Sequence, residues 1–351
     1  MNTSTLNTLL KEYEKKKFNA ELKFENAKSS FYKLHPDLSE INDKLNSTAL
    51  DISKAILNGD FDLENKLKQD FEILKSKKDN LLKNINIPIE AKEPIYECPI
   101  CKDTGYITLD NNKTVLCNCI KQKIFDIDFN KSNIGNLDKE NFDNFNLDLY
   151  SDTVDVKKYN AKISPRQNII NIKEIATNFI DNFDDPDEKN LLFLGNTGLG
   201  KTFLSNCIAK EVLDNKKTVL YQTSPIMLDN IIDYRFGKSD LKEVYDNIIN
   251  VDLLVIDDLG AESLNSFKIT ELFNIINARL LSTNNNVRKT IISTNLNMNN
   301  LFETYGERIF SRLASYYSIC RFFGDDIRLL NLRKKWYKKY MYYILIYVLF
   351  L

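Results

Sequence analysis

Leu191-Leu192-Phe193-Leu194-Gly195-Asn196-Thr197-Gly198-Leu199-Gly200-Lys201-Thr202 decides the fold. A short apolar run, too short for a helix and rich enough for a buried strand, breaks into G-x-x-x-x-G-K-T. Phe203-Leu204-Ser205-Asn206-Cys207-Ile208-Ala209-Lys210 then continues as a helix. Strand, glycine-rich loop and helix in that order are the context a phosphate-binding loop requires. Gly195, Gly198 and Gly200, with Asn196, Thr197 and Leu199 between them, let the backbone wrap a phosphate chain with its N–H groups inward. Lys201 is placed to reach the β- and γ-phosphates and the Thr202 hydroxyl to sit on Mg²⁺, while the helix N-terminus adds a favourable dipole. The flanking elements disfavour a chance loop, and the stretch reads as a nucleoside triphosphate site.

Downstream the α/β alternation continues. Lys217–Tyr221 reads as a second strand and Ser224 to about Tyr234 as a helix. Val251-Asp252-Leu253-Leu254-Val255-Ile256-Asp257-Asp258 is a buried strand emptying onto two carboxylates, the Walker B arrangement. Asp257 is expected beside Thr202, holding Mg²⁺ through water, and Asp258 to orient or deprotonate the attacking water. A helix over 267–281 precedes the strand Thr290-Ile291-Ile292-Ser293-Thr294-Asn295. Asn295 could be a turn former; its place downstream of Walker B fits a residue polarising the γ-phosphate. Glu307-Arg308-Ile309-Phe310-Ser311-Arg312-Leu313 sets two arginines four apart on one helical face. An exposed basic face is the plain reading. Behind a P-loop, one of them reads better as a finger for a neighbouring subunit's γ-phosphate, which requires an oligomer.

The 351-residue length allows two or three domains. With 28% charged and 43% hydrophobic residues and a formal net charge of −1, the chain lacks a global basic footprint, so any nucleic-acid contact must be a local patch. The polar start Asn2-Thr3-Ser4-Thr5 is unlike a signal peptide. Four of the six cysteines fall within 22 residues, which excludes a secreted disulfide framework and fits a reducing cytoplasm.

Upstream, three amphipathic helices are expected. The first carries Leu6, Leu9, Leu10, Tyr13, Phe18 and Leu22, the second runs from Pro36 to Asn58, and the third stops before Pro88. They could be a self-contained bundle or a surface that docks a partner's helices. His35 reads as a local cap. Cys98-Pro99-Ile100-Cys101 and Cys117-Asn118-Cys119 form C-x2-C, fifteen residues, C-x-C. Four thiolates in tight pairs suit a closed tetrahedral zinc site better than buried cysteines or a redox pair. Tyr106–Leu109 and Thr114–Leu116 read as the hairpin that brings the pairs together, and Gly105 as a turn residue at positive φ. The expected domains are 1–92 helical, 93–122 the cysteine knuckle, 123–165 a linker with aromatic anchors, 166–330 the α/β core, and 331–351 a basic then apolar tail of no assigned role. The eleven uncharged residues closing that tail are too few to span a membrane, which takes roughly 20.

GNTGLGKT, LLVIDDLGAE, TIISTNL, ERIFSRL and FFGDDIR, preceded by CPICKDTGY, together resemble the bacterial replicative helicase loaders. These are the DnaC/DnaI-like AAA+ ATPases, also grouped with IstB-like ATP-binding proteins. The resemblance covers about residues 96–330. It implies an AAA+ core that binds ATP, contacts single-stranded DNA, self-associates and deposits the replicative DNA helicase, with the helical segment as the helicase-binding domain. By the same resemblance Lys201 and Thr202 are Walker A, Asp257 and Asp258 Walker B, and Asn295 sensor 1. Arg312 comes ahead of Arg308 as the finger, and Arg328 sits near sensor 2. Arg235, Lys238 and Lys242 would line the DNA channel by this resemblance, or are ordinary solvated charges.

Three departures stand out. Asp258 stands where the general AAA+ pattern has Glu and is one methylene shorter, which implies slow hydrolysis suited to a switch. Four cysteines stand where some loaders use a histidine. The helical lid is expected to be vestigial, because about twenty residues follow Arg328. The competing expectations are an IstB-like transposition helper and an adaptor for which nucleotide is a structural ligand and hydrolysis dispensable.

Overall fold

The computed structural model describes residues 3–83, 85–110, 112–128, 137–237, 242–281 and 287–329. The chain divides into two compact units, one ending at Cys117 and the other beginning at Asn118. The tail from 330 onward, and with it the reading of its basic and apolar run, lies outside the described residues.

The first unit holds α1 (Thr3–Leu34), α2 (Pro36–Asn58) and α3 (Phe61–Leu82), as the periodicity predicts. Pro36 starts α2, where a missing N–H costs nothing, and Gly59 ends it at φ 71°, a left-handed cap. His35 occupies the N-cap position, but its side chain makes no capping hydrogen bond; the ring lies 4.7 Å from that of Phe31 instead. Asp60 does cap α3, accepting from the Leu63 N–H at 3.0 Å. A two-stranded antiparallel hairpin follows, β1 (Tyr106–Thr108) and β2 (Thr114–Leu116), in the register Tyr106 opposite Leu116.

The second unit opens with α4 (Asn118–Asp128), α5 (Val156–Tyr159) and α6 (Pro165–Asp181). The stretch read as a linker is therefore helical at its start, because Ile120, Ile124 and Phe125 bury one face of α4. Then come β3 (Asn190–Leu194), α7 (Lys201–Asp214), β4 (Val219–Thr223), α8 (Ser224–Arg235), α9 (Lys242–Asn250) and β5 (Leu253–Leu259). α10 (Ser266–Leu280), β6 (Lys289–Thr294), α11 (Met298–Tyr316) and β7 (Tyr317–Arg321) complete it. All five core strands run parallel in the order β4-β5-β6-β3-β7, so the P-loop strand β3 lies between β6 and β7. Side chains alternate between two apolar layers. Leu192, Leu194, Leu254 and Ile256 pack toward α8, α10 and α11, while Leu191, Phe193, Tyr221 and Val255 pack toward α6 and α7. This is a three-layer α/β core with a P-loop, and its ligand edge lies at the carboxyl ends of the strands.

Two boundaries differ from expectation in an instructive way. β4 begins at Val219 because Lys216 turns through φ 63° and the Asp252 carboxylate ties down Thr218 N and Oγ1 at 2.7 and 2.8 Å. β5 shifts register against β6 between Ile256 and Leu259, and Asp258 sits there at φ 54°. A bulge at a strand end re-aims side chains, and it separates the directions of the two Walker B carboxylates.

Candidate nucleotide site and cysteine cluster

The loop between β3 and α7 has left-handed backbone at Gly198 and Gly200, with φ of 76° and 92°. At Gly200 a Cβ would also lie 2.5 Å from the Tyr150 hydroxyl, and at Gly198 it would collide with the Asp326 carboxylate. Lys201, the first residue of α7, is buried and folds back over the loop. Its Nζ donates to the Gly195 and Asn196 carbonyls at 2.5 and 2.8 Å and to Asn295 Oδ1 at 2.7 Å. Burial lowers its pKa to about 8, against the attraction of Asp258 and Asp257.

Asp257 is buried beneath the loop. Its Oδ2 accepts from Thr202 Oγ1 at 3.1 Å and from the Tyr221 hydroxyl at 2.7 Å; its Oδ1 accepts from Ser293 Oγ and from Asp258 N. Asp258 is half-buried and faces the cavity, and burial followed by the nearby Asp257 raises its pKa. Thr202, Asp258, Asn295 and Arg328 line one cavity of about 310 Å³ together with Thr197, Gly198, Leu199, Gly200 and Lys201. Its opposite wall was not foreseen. Glu140, Asn144, Phe145, Asn146, Leu149 and Tyr150 come from the presumed linker, held by the Tyr150 hydroxyl on the Leu199 carbonyl at 3.1 Å. Ile327 N donates to the Gly198 carbonyl at 2.9 Å, which brings Arg328 to the rim. The cluster of aromatic residues among Asp and Asn was the signal for that wall.

Arg308 and Arg312 are elsewhere. α11 is interrupted at Gly306, with φ 78° and ψ 171°, and both arginines lie beyond the break. Arg312 donates to Asn277 Oδ1 at 3.0 Å and lies 4.5 Å from the Phe273 ring centroid; Arg308 is exposed. Neither lines the cavity. Of the residues expected at DNA, Arg235 pairs with Glu271 at 3.2 Å and stacks on Tyr245, while Lys238 and the side chain of Lys242 lie outside the described residues.

The sulfurs of Cys98, Cys101, Cys117 and Cys119 all lie within 4.8 Å of one another, and Cys98 and Cys117 are 3.9 Å apart. Zn–S bonds of about 2.3 Å in a tetrahedron separate sulfurs by about 3.8 Å, so the four residues fit a closed zinc site. The turn is braced by Asp103, which accepts from Cys98 N at 2.8 Å and Glu97 N at 2.9 Å. Gly105 has the expected positive φ, 76°, and its carbonyl takes the Cys117 N–H at 2.8 Å.

Residues 146–319 match the family model of the IstB-like ATP binding protein. The chain is 28% identical over 152 residues to the replicative helicase loader DnaC of Escherichia coli strain K12, covering 43% of this chain and 60% of that protein. It is 29% identical over 160 residues to the replicative helicase loader DnaC of Buchnera aphidicola subsp. Baizongia pistaciae, covering 45% and 61%. With a putative insertion sequence ATP-binding protein of Sinorhizobium fredii it shares 28% identity over 169 residues, covering 47% and 64%. The chain thus spans about three fifths of the length of the curated relatives it matches. Among the described residues no helix is long and apolar enough to cross a membrane.

Proposed function

We propose that this chain is an ATP-dependent loader of a replicative DNA helicase onto single-stranded DNA, with nucleotide state acting as a switch. The observation that carries the nucleotide half is the convergence of Lys201, Asp258, Asn295 and Arg328 on one cavity whose far wall is Phe145, Leu149 and Tyr150. Such a cavity has a cationic end for phosphates and a largely apolar end for a base. Lys201, now occupied by loop carbonyls, would turn to the β- and γ-phosphates, and Asn295 would be released to the γ-phosphate and its attacking water. Asp258 orients that water and accepts its proton. Magnesium, held by Thr202 and Asp257, would supply charge neutralisation for phosphoryl transfer. The short reach of Asp258 makes turnover slow, as a switch requires.

The loading half is supported by the relatives named as helicase loaders. Arg312, on the helix beyond Gly306, serves a neighbouring copy's γ-phosphate in this reading, so turnover depends on self-association. Zinc in the four-cysteine site is structural. The insertion-sequence relative favours a second reading, a transposition helper.

The deciding experiment is affinity capture on the full-length chain with ATP present. A replicative helicase on the column supports loading; a transposase in its place overturns it. Asp258→Asn then separates switch from clamp. Helicase loading that persists without ATP turnover would show that nucleotide is held as a structural ligand.

A further inference from the structure

Tyr221 is an unusual residue for its position. Parallel strands covered on both faces are ordinarily runs of Val, Ile and Leu. Tyr221 is 1% exposed in β4, so its hydroxyl must find a partner inside the protein. The partner is Oδ2 of Asp257, 2.7 Å away on the neighbouring strand. The other oxygen of Asp257 is met by Ser293, fully buried on β6, and by Asp258 N at 3.1 Å.

A carboxylate offers about four acceptor positions. Those of Asp257 are filled from four directions, by β4, β6, its own backbone and the P-loop helix. Only the Thr202 hydroxyl, 3.1 Å from Oδ2, belongs to an exposed residue at the cavity. The Thr202 bond is therefore the exchangeable one, and the two buried hydroxyls sit beneath it. A phenylalanine at position 221 would fill the same space and leave Oδ2 without its inner donor.

We propose that Tyr221 and Ser293 are positioning residues for a divalent cation at the nucleotide site. Their buried hydroxyls fix the plane of the Asp257 carboxylate, so that it faces the cation together with Thr202. This rests on the nucleotide reading above and adds two residues to which the motif reading gave no role. Outer hydrogen-bond partners of metal ligands typically change metal affinity by 10- to 100-fold when removed.

The test is a Mg²⁺ titration of the full-length protein, followed by fluorescence of a labelled ATP analogue. Tyr221→Phe is expected to raise the Mg²⁺ concentration at half-maximal response by about tenfold, with analogue affinity in EDTA unchanged. Ser293→Ala shifts the midpoint in the same direction through the other oxygen. It becomes the deciding variant if circular dichroism shows that Tyr221→Phe does not fold. An unchanged midpoint in a folded variant overturns the proposal. So does an equal loss of affinity in EDTA, which would mean the ring merely shapes the pocket. If the unmutated protein binds no analogue, the nucleotide reading falls as well. If it binds the analogue indifferently to Mg²⁺, the cation role alone falls.

Discussion

The P-loop core and the N-terminal helices treat their side chains differently. Every residue of β3 and β6 is buried, and the polar ones on the site edge have named partners. In the helices, α3 buries no residue fully, while Leu34, Leu57 and Phe61 stand 77%, 86% and 73% exposed. Burying one such side chain stabilises by about 1.5–3 kcal/mol, and the helices forgo that gain. In the core, position is determined by fixed partners and the outcome is a chemical site. In the helices, Leu9, Tyr13, Phe31, Leu38 and Leu45 of α1 and α2 are buried, while Leu34, Leu57, Phe61 and the apolar residues of α3 are left on a surface. One region encodes a reaction geometry and the other a face.

Lys201 gives the largest expected effect. Lys201→Ala should lower nucleotide affinity by at least about 100-fold, as expected for a cation that meets phosphates directly. The same substitution should raise the melting temperature of the nucleotide-free protein. Burial depresses the Lys201 pKa to about 8, so its charge is a cost to the empty fold. Calorimetry with and without ATP reads both. Retained affinity, within about tenfold of the original, would dissolve the contrast between a chemical core and a passive arm.

Removing the metal comes next. If the cysteine cluster holds zinc as a structural ion, Cys117→Ser should abolish bound zinc and disorder the turn that Asp103 and Gly105 brace, since structural zinc is itself folding free energy. Metal analysis of the purified protein and hydrogen exchange over residues 97–117 are the measurements. A variant that keeps full amide protection there would make the cluster a set of ordinary buried thiols.

The sequence showed the core more clearly than its surroundings, for a physical reason. A P-loop, a Walker B strand and a strand-end Asn are local patterns whose backbone needs are written in consecutive residues, as at Gly198, Gly200 and Lys201. The parallel sheet and its helices followed from apolar runs. Tyr150 and Phe145 were read only as anchors in a linker, because the wall they form depends on a contact 49 residues away at Leu199. Tyr221 and Ser293 read only as members of their strands, since nothing in their neighbours points to Asp257. Arg308 and Arg312 were legible as a helical pair, but the break at Gly306 was not.

The pH dependence is a smaller effect with a definite sign. The Lys201 pKa is lowered to about 8 in the empty site, below the ordinary lysine value of 10.5. Between those two values the unfolded chain binds more protons than the folded one, so nucleotide-free stability should rise with pH across that window. Phosphates favour the protonated lysine, so nucleotide affinity should fall over the same window, by up to about tenfold per pH unit. Isothermal titration at pH 7, 8 and 9 checks it; affinity that is flat above pH 8 would show that Lys201 keeps its proton without a ligand.

The smallest effect falls on the exposed face. Leu57→Ser and Phe61→Ser should change stability by no more than about 0.5 kcal/mol, as surface substitutions do. Asp60→Ala, between them, should cost about 1 kcal/mol because it removes the cap on Leu63 N. That ordering is unusual, with an aspartate mattering more to the fold than the leucine and phenylalanine flanking it. It follows from which group has an intramolecular partner. Urea midpoints of the three variants decide it. If the two apolar substitutions proved the more damaging, their side chains would be buried in solution, alongside Leu38 and Leu45 of α2.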